Sequence, residues 1–424
     1  MFGFNKRSGK LAAAAATTAA GALFLSACSA AGAADDRTVV EVMSWAGQSF
    51  MDDVIEWFEY ENPDIRINFS FAAPVAPYVQ ALQSRINAQN TPDVFMMVFE
   101  NRTQLMDAGL TRDLSDQAWL SRLHPSAVEF YTTPDGHVHT AATDAWAGGI
   151  VYNVDILAAH GIETPFASMD DFIAAAHTLN AAGYIGFLES FQGMPMTVNA
   201  HVGRHIYNLA QELGTDPDQL VFDGLLTFEE IWGPPLTDVM RLFEEGVLDE
   251  TVVGIHGVQV EQEFTAGRVA MMTTGPWAIN AIREQGGEDF NFRFTSIPTR
   301  NAGENFWGGA MGVGLSVYVN TEVEEAALRF VEFMTTPIVM ARANEDGPIT
   351  TTADFDPVVD YTFLEAYHEA LLTGNFYLPM GGWVRFQDEL YTQATALLQE
   401  MVMGIRTPAE VGRGLDQELA RHNN

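Results

Sequence analysis

The chain of 424 residues has a single cysteine, and its acidic residues outnumber its basic ones by 56 to 21. One cysteine excludes any disulfide within the chain, so the fold rests on its core and its hydrogen bonds. Lysine occurs only as Lys6 and Lys10. Beyond residue 10 there is therefore no lysine for a Schiff base, a phosphate-binding loop or general-base chemistry. Arginine without lysine is better explained by genomic base composition than by function. A formal net charge of −35 removes nucleic acid and anionic lipid headgroups from the partners to be expected. Long apolar runs are scarce too: the Ala-rich run from Leu11 to Leu25 falls short of the roughly 20 residues of a membrane-spanning helix, and no other stretch comes nearer. No internal repeat, Gly-x-Ser-x-Gly elbow, phosphate loop or His-Glu-x-x-His is found.

The amino terminus carries an address. Lys6, Arg7 and Lys10 precede the apolar run, which ends in Leu25-Ser26-Ala27-Cys28, the pattern of an export signal. The boundary resembles the bacterial lipobox, which implies that residues 1–27 are a signal peptide and that Cys28 becomes an acylated mature N-terminus. Two or more acyl chains on that residue would hold the protein stably at a membrane. The plainer alternative is an ordinary signal with an incidental cysteine. Residues 28–37, rich in Ala, Gly and Asp, read as a tether.

From residue 38 the apolar pattern switches between strand and helix periods. Val39 to Trp45 alternates in part and predicts a strand that delivers Trp45 to its carboxyl end. Ser49 to Tyr60 has helical spacing, Ile65 to Phe69 alternates, and Tyr78 to Asn90 is helical again. The continuous apolar run after Pro92-Asp93 predicts a parallel strand buried on both faces, with Glu100 directly after it. Open α/β sheets gather ligands outside such strand ends. Gly136 to Asp155 reads as a strand leaving one domain and entering another, with Thr143 to Trp146 where they meet. Helices are expected at 170–180, 198–213 and 227–246, the last interrupted by Gly233-Pro234-Pro235. Glu189 follows a short strand, Tyr184 to Leu188. Gly275-Pro276 turns the chain so that Trp277 is presented at a strand end. Trp307 to Ala310 precedes Val313 to Val319, which reads as a return crossing, and Trp383 to Arg385 reads as a loop between helices.

Phe264, Gly267, Ala270, Met271, Gly275, Pro276 and Trp277 match, at fixed spacing, a motif of bacterial extracellular solute-binding proteins of ABC importers. The chain resembles in particular their sugar-binding, maltose-binding-protein-like family. Asp144, Tyr152-Asn153, Gly161, Pro165 to Asp170, and the series Pro92-Asp93, Glu100, Ala108-Gly109-Leu110 follow the same pattern. The resemblance covers 38–420. It implies an α/β, two-lobed periplasmic-binding-protein-like fold of type II, with the ligand cleft between the lobes. Lobe 1 would comprise 38–145 and 306–355, and lobe 2 would comprise 150–300 and 358–424. The implied function is that of a monomeric, lipid-anchored component on the outer face of the cell membrane. It would capture a sugar and deliver it to an ABC permease, without cofactor or catalysis.

Five tryptophans fall near inferred strand ends or loops: Trp45, Trp146, Trp277, Trp307 and Trp383. One such residue would be read as packing, but five predict a cleft lined with flat rings that bury the C–H faces of sugars, while carboxylates accept hydrogen bonds from hydroxyls. Trp277 ranks first, then Glu100, Trp383, Trp45, Asp144, Trp146, Glu189 and Arg385. Arg385 is the one basic candidate, so a neutral mono- or oligosaccharide is expected; a phosphorylated sugar would call for a cluster of cations. The alternatives are the same fold binding a polyamine, peptide or sugar phosphate, or an anchored glycoside hydrolase. The latter would use two of Glu100, Asp144 and Glu189 as carboxyls roughly 5–9.5 Å apart. His201 and His205 lie one helical turn apart without a third ligand in view and read as structural, as do His137 and His139.

Overall fold

The computed structural model describes residues 36–423 apart from 46, 73–74, 99–100, 134, 288, 346–348 and 351–375. The stretch read as a signal peptide, Cys28 and Glu100 thus lie outside the described residues. In chain order the strands are β1 (Thr38–Ser44), β2 (Ile65–Phe71), β3 (Val94–Met97), β4 (Ala141–Ala142), β5 (Asp144–Asn153) and β6 (Met271–Thr274). They continue as β7 (Phe292–Thr295), β8 (Trp307–Met311), β9 (Gly314–Val317), β10 (Ile349–Thr350) and β11 (Phe376–Tyr377).

Two sheets organise a two-lobed α/β fold. The first has the order β2-β1-β3-β9-β4, with β1 parallel to β2 and β3, and β9 antiparallel to β3 and β4. All four residues of β3 are buried, as a strand covered on both faces requires. Helix Gln48–Glu61 connects β1 to β2 and turns Met51, Val54 and Phe58 inward, where Phe58 meets Phe330 and Phe333 edge to face. The second sheet has the order β10-β5-β8-β11, with β6 and β7 also paired to β5. Only Thr143 separates β4 in the first sheet from β5 in the second. On the return, the segment read as entering lobe 1 from residue 306 still runs in the second sheet as β8, and joins the first only at β9.

The double-proline site is a difference from the sequence reading. Helix Phe228–Glu244 runs unbroken through Pro234 and Pro235. Its ends compensate: Thr227 and Glu230 form a capping box, and the Asp416 carboxylate accepts from the Phe228 and Glu229 N–H groups. Trp232, Leu236, Val239 and Leu242 on its inner face are wholly buried. That burial outweighs the two backbone donors lost to proline.

Glycine is required where β5 and β8 cross. A Cβ on Gly149 would lie 2.4 Å from the Thr295 carbonyl oxygen and 2.5 Å from the Trp307 ring. Gly149→Ala should therefore lower the unfolding free energy by about 1–3 kcal/mol, as overpacking does, measured by denaturant titration.

Candidate ligand-binding site

Strand register brings several chain segments to one edge. Val42 and Met43 of β1 lie opposite Val94 and Phe95 of β3, Met97 lies opposite Gly314, and Gly314 lies opposite Ala142. The carboxyl ends of β1 and β3 therefore open beside the 312–314 turn and the start of β5. Trp45 follows β1 there, partly buried, with its indole Nε1 buried and lacking a hydrogen-bond partner. Asp144 opens β5. It keeps part of its surface, but its Oδ1 is buried and unpartnered, close against Gly312, where a Cβ would come within 1.9 Å. Burial pushes the Asp144 carboxyl up to about 7, against the pull of the Val313 backbone hydrogen bond.

The second wall is built by β5, β6 and a helix start. Alternation along β5 puts Asp144, Trp146 and Gly148 on one face. Trp146 meets Trp277 edge to face, with centroids 5.5 Å apart. Trp277 sits in the short turn Pro276–Ala278 after β6 and is 50 % exposed, in contrast to the buried Trp232 and Trp383. Its ring lies over Gly275, where a Cβ would approach to 2.1 Å, so only glycine leaves room for it. Met196 lies against both Gly148 and Gly308, and Asn199, one turn along helix Met196–Leu213, has a buried unpartnered Oδ1. An aromatic pair and several polar atoms without partners thus border the place where the two sheets meet. Sequence reasoning did not single out Met196 or Asn199; the glycine pairs Gly148-Gly149 and Gly308-Gly309, which admit them, were the available signal.

Four sequence candidates are placed elsewhere. Trp383 is fully buried, stacked at 6.1 Å on Trp232 and edge-on to Phe228, so its ring belongs to the core. Loop position suggested a presented ring, but the chain folds it against the helix Phe228–Glu244. Trp307 is 3 % exposed and packs on Gly149. Glu189 is buried and accepts from the Thr197 N–H, the Thr197 hydroxyl and the Thr273 hydroxyl. Its pKa is raised by burial, against those hydrogen bonds, and its task is to fix the start of the Met196 helix behind the wall. Arg385 donates to the Phe222 carbonyl and lies over the rings of Phe222 and Phe386. His201 is buried, with Nδ1 on the Thr197 carbonyl at 2.8 Å.

The family model for bacterial extracellular solute-binding proteins matches residues 53–365. The chain belongs to that family. Among similar proteins, the melibiose/raffinose/stachyose-binding protein MelE of Bacillus subtilis is 24 % identical over 379 residues, 86 % of this chain and 84 % of MelE. The multiple sugar-binding protein of Streptococcus mutans is 22 % identical over 389 residues, 89 % and 90 % of the two chains. A family 1 extracellular solute-binding protein from Bifidobacterium longum subsp. infantis superposes with a TM-score of 0.78 at 22 % identity, covering 91 % of this chain and 99 % of that one. RafE in complex with raffinose gives 0.70 at 22 % identity, covering 91 % and 100 %. These likenesses establish the two-lobed fold of a solute-binding protein. Among the described residues no helix is long and apolar enough to cross a membrane.

One buried acid in this solute-binding protein should make its stability depend on pH. Asp218 is 1 % exposed, accepts from the Tyr377 hydroxyl at 2.7 Å, and lies against Gly382. Burial, helped by the charge of Asp216, pushes its carboxyl up to about 8, with the Tyr377 hydrogen bond pulling the other way. A folded-state pKa above the unfolded one means stability is fully present below about pH 4 and is lost as pH rises through about 8. Asp218→Asn keeps the acceptor without the charge. Thermal unfolding across this range should show the variant gaining on the wild type as pH increases.

Proposed function

We propose that the protein is a lipid-anchored binding component of an ABC importer that captures a saccharide between its lobes. One observation carries this reading: half-exposed Trp277 stands edge-on to Trp146, on the same face of β5 as Asp144 with its unpartnered Oδ1. Flat rings and hydrogen-bonding groups without protein partners are what a sugar needs, with C–H faces to cover and hydroxyls to satisfy. The sugar-binding relatives in Bacillus and Streptococcus favour the same class. A neutral saccharide fits better than a phosphorylated one, because Arg385 is engaged with Phe222 and its neighbour Phe386.

Glu100 belongs to the proposal by its place in the sequence directly after the apolar run that follows Pro92-Asp93, and the ABC permease by family membership. The anchor rests on Leu25-Ser26-Ala27-Cys28. Cys28→Ala should shift the protein from the membrane fraction to the soluble one; retention in the membrane would overturn the lipid anchor.

Trp277 provides the test of the site. Truncating a central aromatic group typically costs about 2 kcal/mol or more, roughly 30-fold in affinity. A thermal-shift screen with raffinose, melibiose, stachyose, maltose and sugar phosphates should find stabilisation by neutral sugars; stabilisation by sugar phosphates alone would reverse the reading. For the best sugar, calorimetry should show Trp277→Ala at least that much weaker and Trp277→Phe much less affected. Because the ring is half exposed, the unliganded melting temperature should change little. Normal affinity in Trp277→Ala would remove it from the site.

A further inference from the structure

Arg102 is buried, unlike the arginines that form ion pairs. Arg112, Arg241, Arg268, Arg329, Arg342 and Arg413 pair with carboxylates at the surface. Arg102 is 9 % exposed, and no described carboxylate pairs with it in a chain holding 56 acidic residues. It opens the helix Arg102–Asp107, just past the carboxyl end of β3, at the edge where the ligand candidates gather. Its Nη2 donates to the Gly381 carbonyl at 3.1 Å, and its guanidinium lies 4.5 Å over the Phe130 ring. Gly381 follows β11 of the second sheet and sits between Met380 and Trp383 of the second core. Phe130 packs against both cores, and a Cβ on Gly381 would touch its ring at 3.5 Å. The next residue, Tyr131, donates to the Gly312 carbonyl, in the turn that leads β8 into β9.

A buried guanidinium on a backbone carbonyl forms a charge-assisted hydrogen bond, and the ring face beneath it supplies the second attraction. The first contact joins an element of the first sheet's lobe to the segment that follows β11; the second lies within that lobe, on a ring that itself backs onto Gly381. We propose that Arg102 is a positioning residue of the ligand cleft: through Gly381 and Phe130 it sets the angle between the lobes, and ligand affinity with it. It works without touching ligand, by favouring the arrangement in which both walls can reach the same molecule. The carbonyl acceptor explains the missing carboxylate. A backbone oxygen holds the guanidinium at a set place along the second lobe, whereas a flexible acidic side chain would follow its movement.

The affinity arm of the test rests on the saccharide reading; the scattering arm does not. Arg102→Met keeps the stem and removes every donor, while Arg102→Lys keeps a charge that can reach a carbonyl but not the planar stack on Phe130. Small-angle scattering of the unliganded, folded proteins should give a larger radius of gyration for Arg102→Met than for the wild type, with Arg102→Lys between them. Raffinose is the probe for calorimetry. Loss of one charge-assisted bond from the arrangement that Arg102 favours predicts roughly tenfold to hundredfold weaker binding in Arg102→Met, partly restored in Arg102→Lys. An unchanged radius in both folded variants overturns the proposal. So does a lowered melting temperature with unchanged radius and affinity, the outcome for a residue that only packs. Should Arg102→Met fail to fold, Arg102→Lys and Phe130→Leu, which removes the ring face, decide by the same radius. If the wild type does not bind raffinose, it is the choice of sugar that fails, and the scattering result still decides the role of Arg102.

Discussion

The structure depends on a crossing with no room for side chains. β5 and β8 run antiparallel with Gly148 opposite Gly308 and Ala147 opposite Gly309. A Cβ on Gly309 would lie 2.4 Å from the Trp146 carbonyl oxygen, and Cβ atoms on Gly148 and Gly308 would meet the Met196 sulfur at 2.6 and 2.9 Å. Close backbone approach lets one ten-residue strand pair with β8 along its first half and with β6 and β7 along its second. That sharing has a functional consequence. Trp146 is carried by the first half, and Trp277 follows the strand paired to the second half, so one strand sets the distance between the two rings.

Burial of acids is the second theme. The chain carries far more negative than positive charge, and its surface arginines form ion pairs such as Arg268 with Glu263 and Arg413 with Glu229, each worth little in water. The carboxyls that matter lie inside. Asp144, Glu189 and Asp218 are all shifted upward by desolvation, and they differ in what offsets it: three side-chain and backbone donors for Glu189, a tyrosine hydroxyl for Asp218, one backbone hydrogen bond for Asp144. Glu189 is the best satisfied and holds the Met196 helix in place. Asp144 and Asp218 each keep one buried oxygen without a partner, and Asp144 stands where a ligand would supply it.

Legibility varied with the range of the interaction. The strand-helix-strand start was readable because periodicity is local: the apolar run after Pro92-Asp93 is the fully buried β3, and the Gly275-Pro276 turn does leave Trp277 exposed. The double proline misled because the forces that keep the helix Phe228–Glu244 continuous come from Asp416 and a buried inner face, nearly two hundred residues away in the first case. Trp383 and Arg385 misled for a related reason. Both were read from their place between helices, yet Trp232 and Phe222 claim them.

Composition and spacing determined the α/β class and the absence of disulfide and lysine chemistry, and the resemblance carried by the Phe264 to Trp277 motif pointed to the family and to Trp277 as the leading candidate, because each depends on residues close together in the chain or on counts. Tertiary structure decided which tryptophans face outward, that Glu189 supports a wall instead of lining it, and that an arginine from the first lobe reaches a glycine carbonyl in the second. Those outcomes depend on burial and on pairs such as Arg102 and Gly381, 279 residues apart. No local pattern encodes such a distance, since the free energy that selects the partner exists only once both lobes have formed.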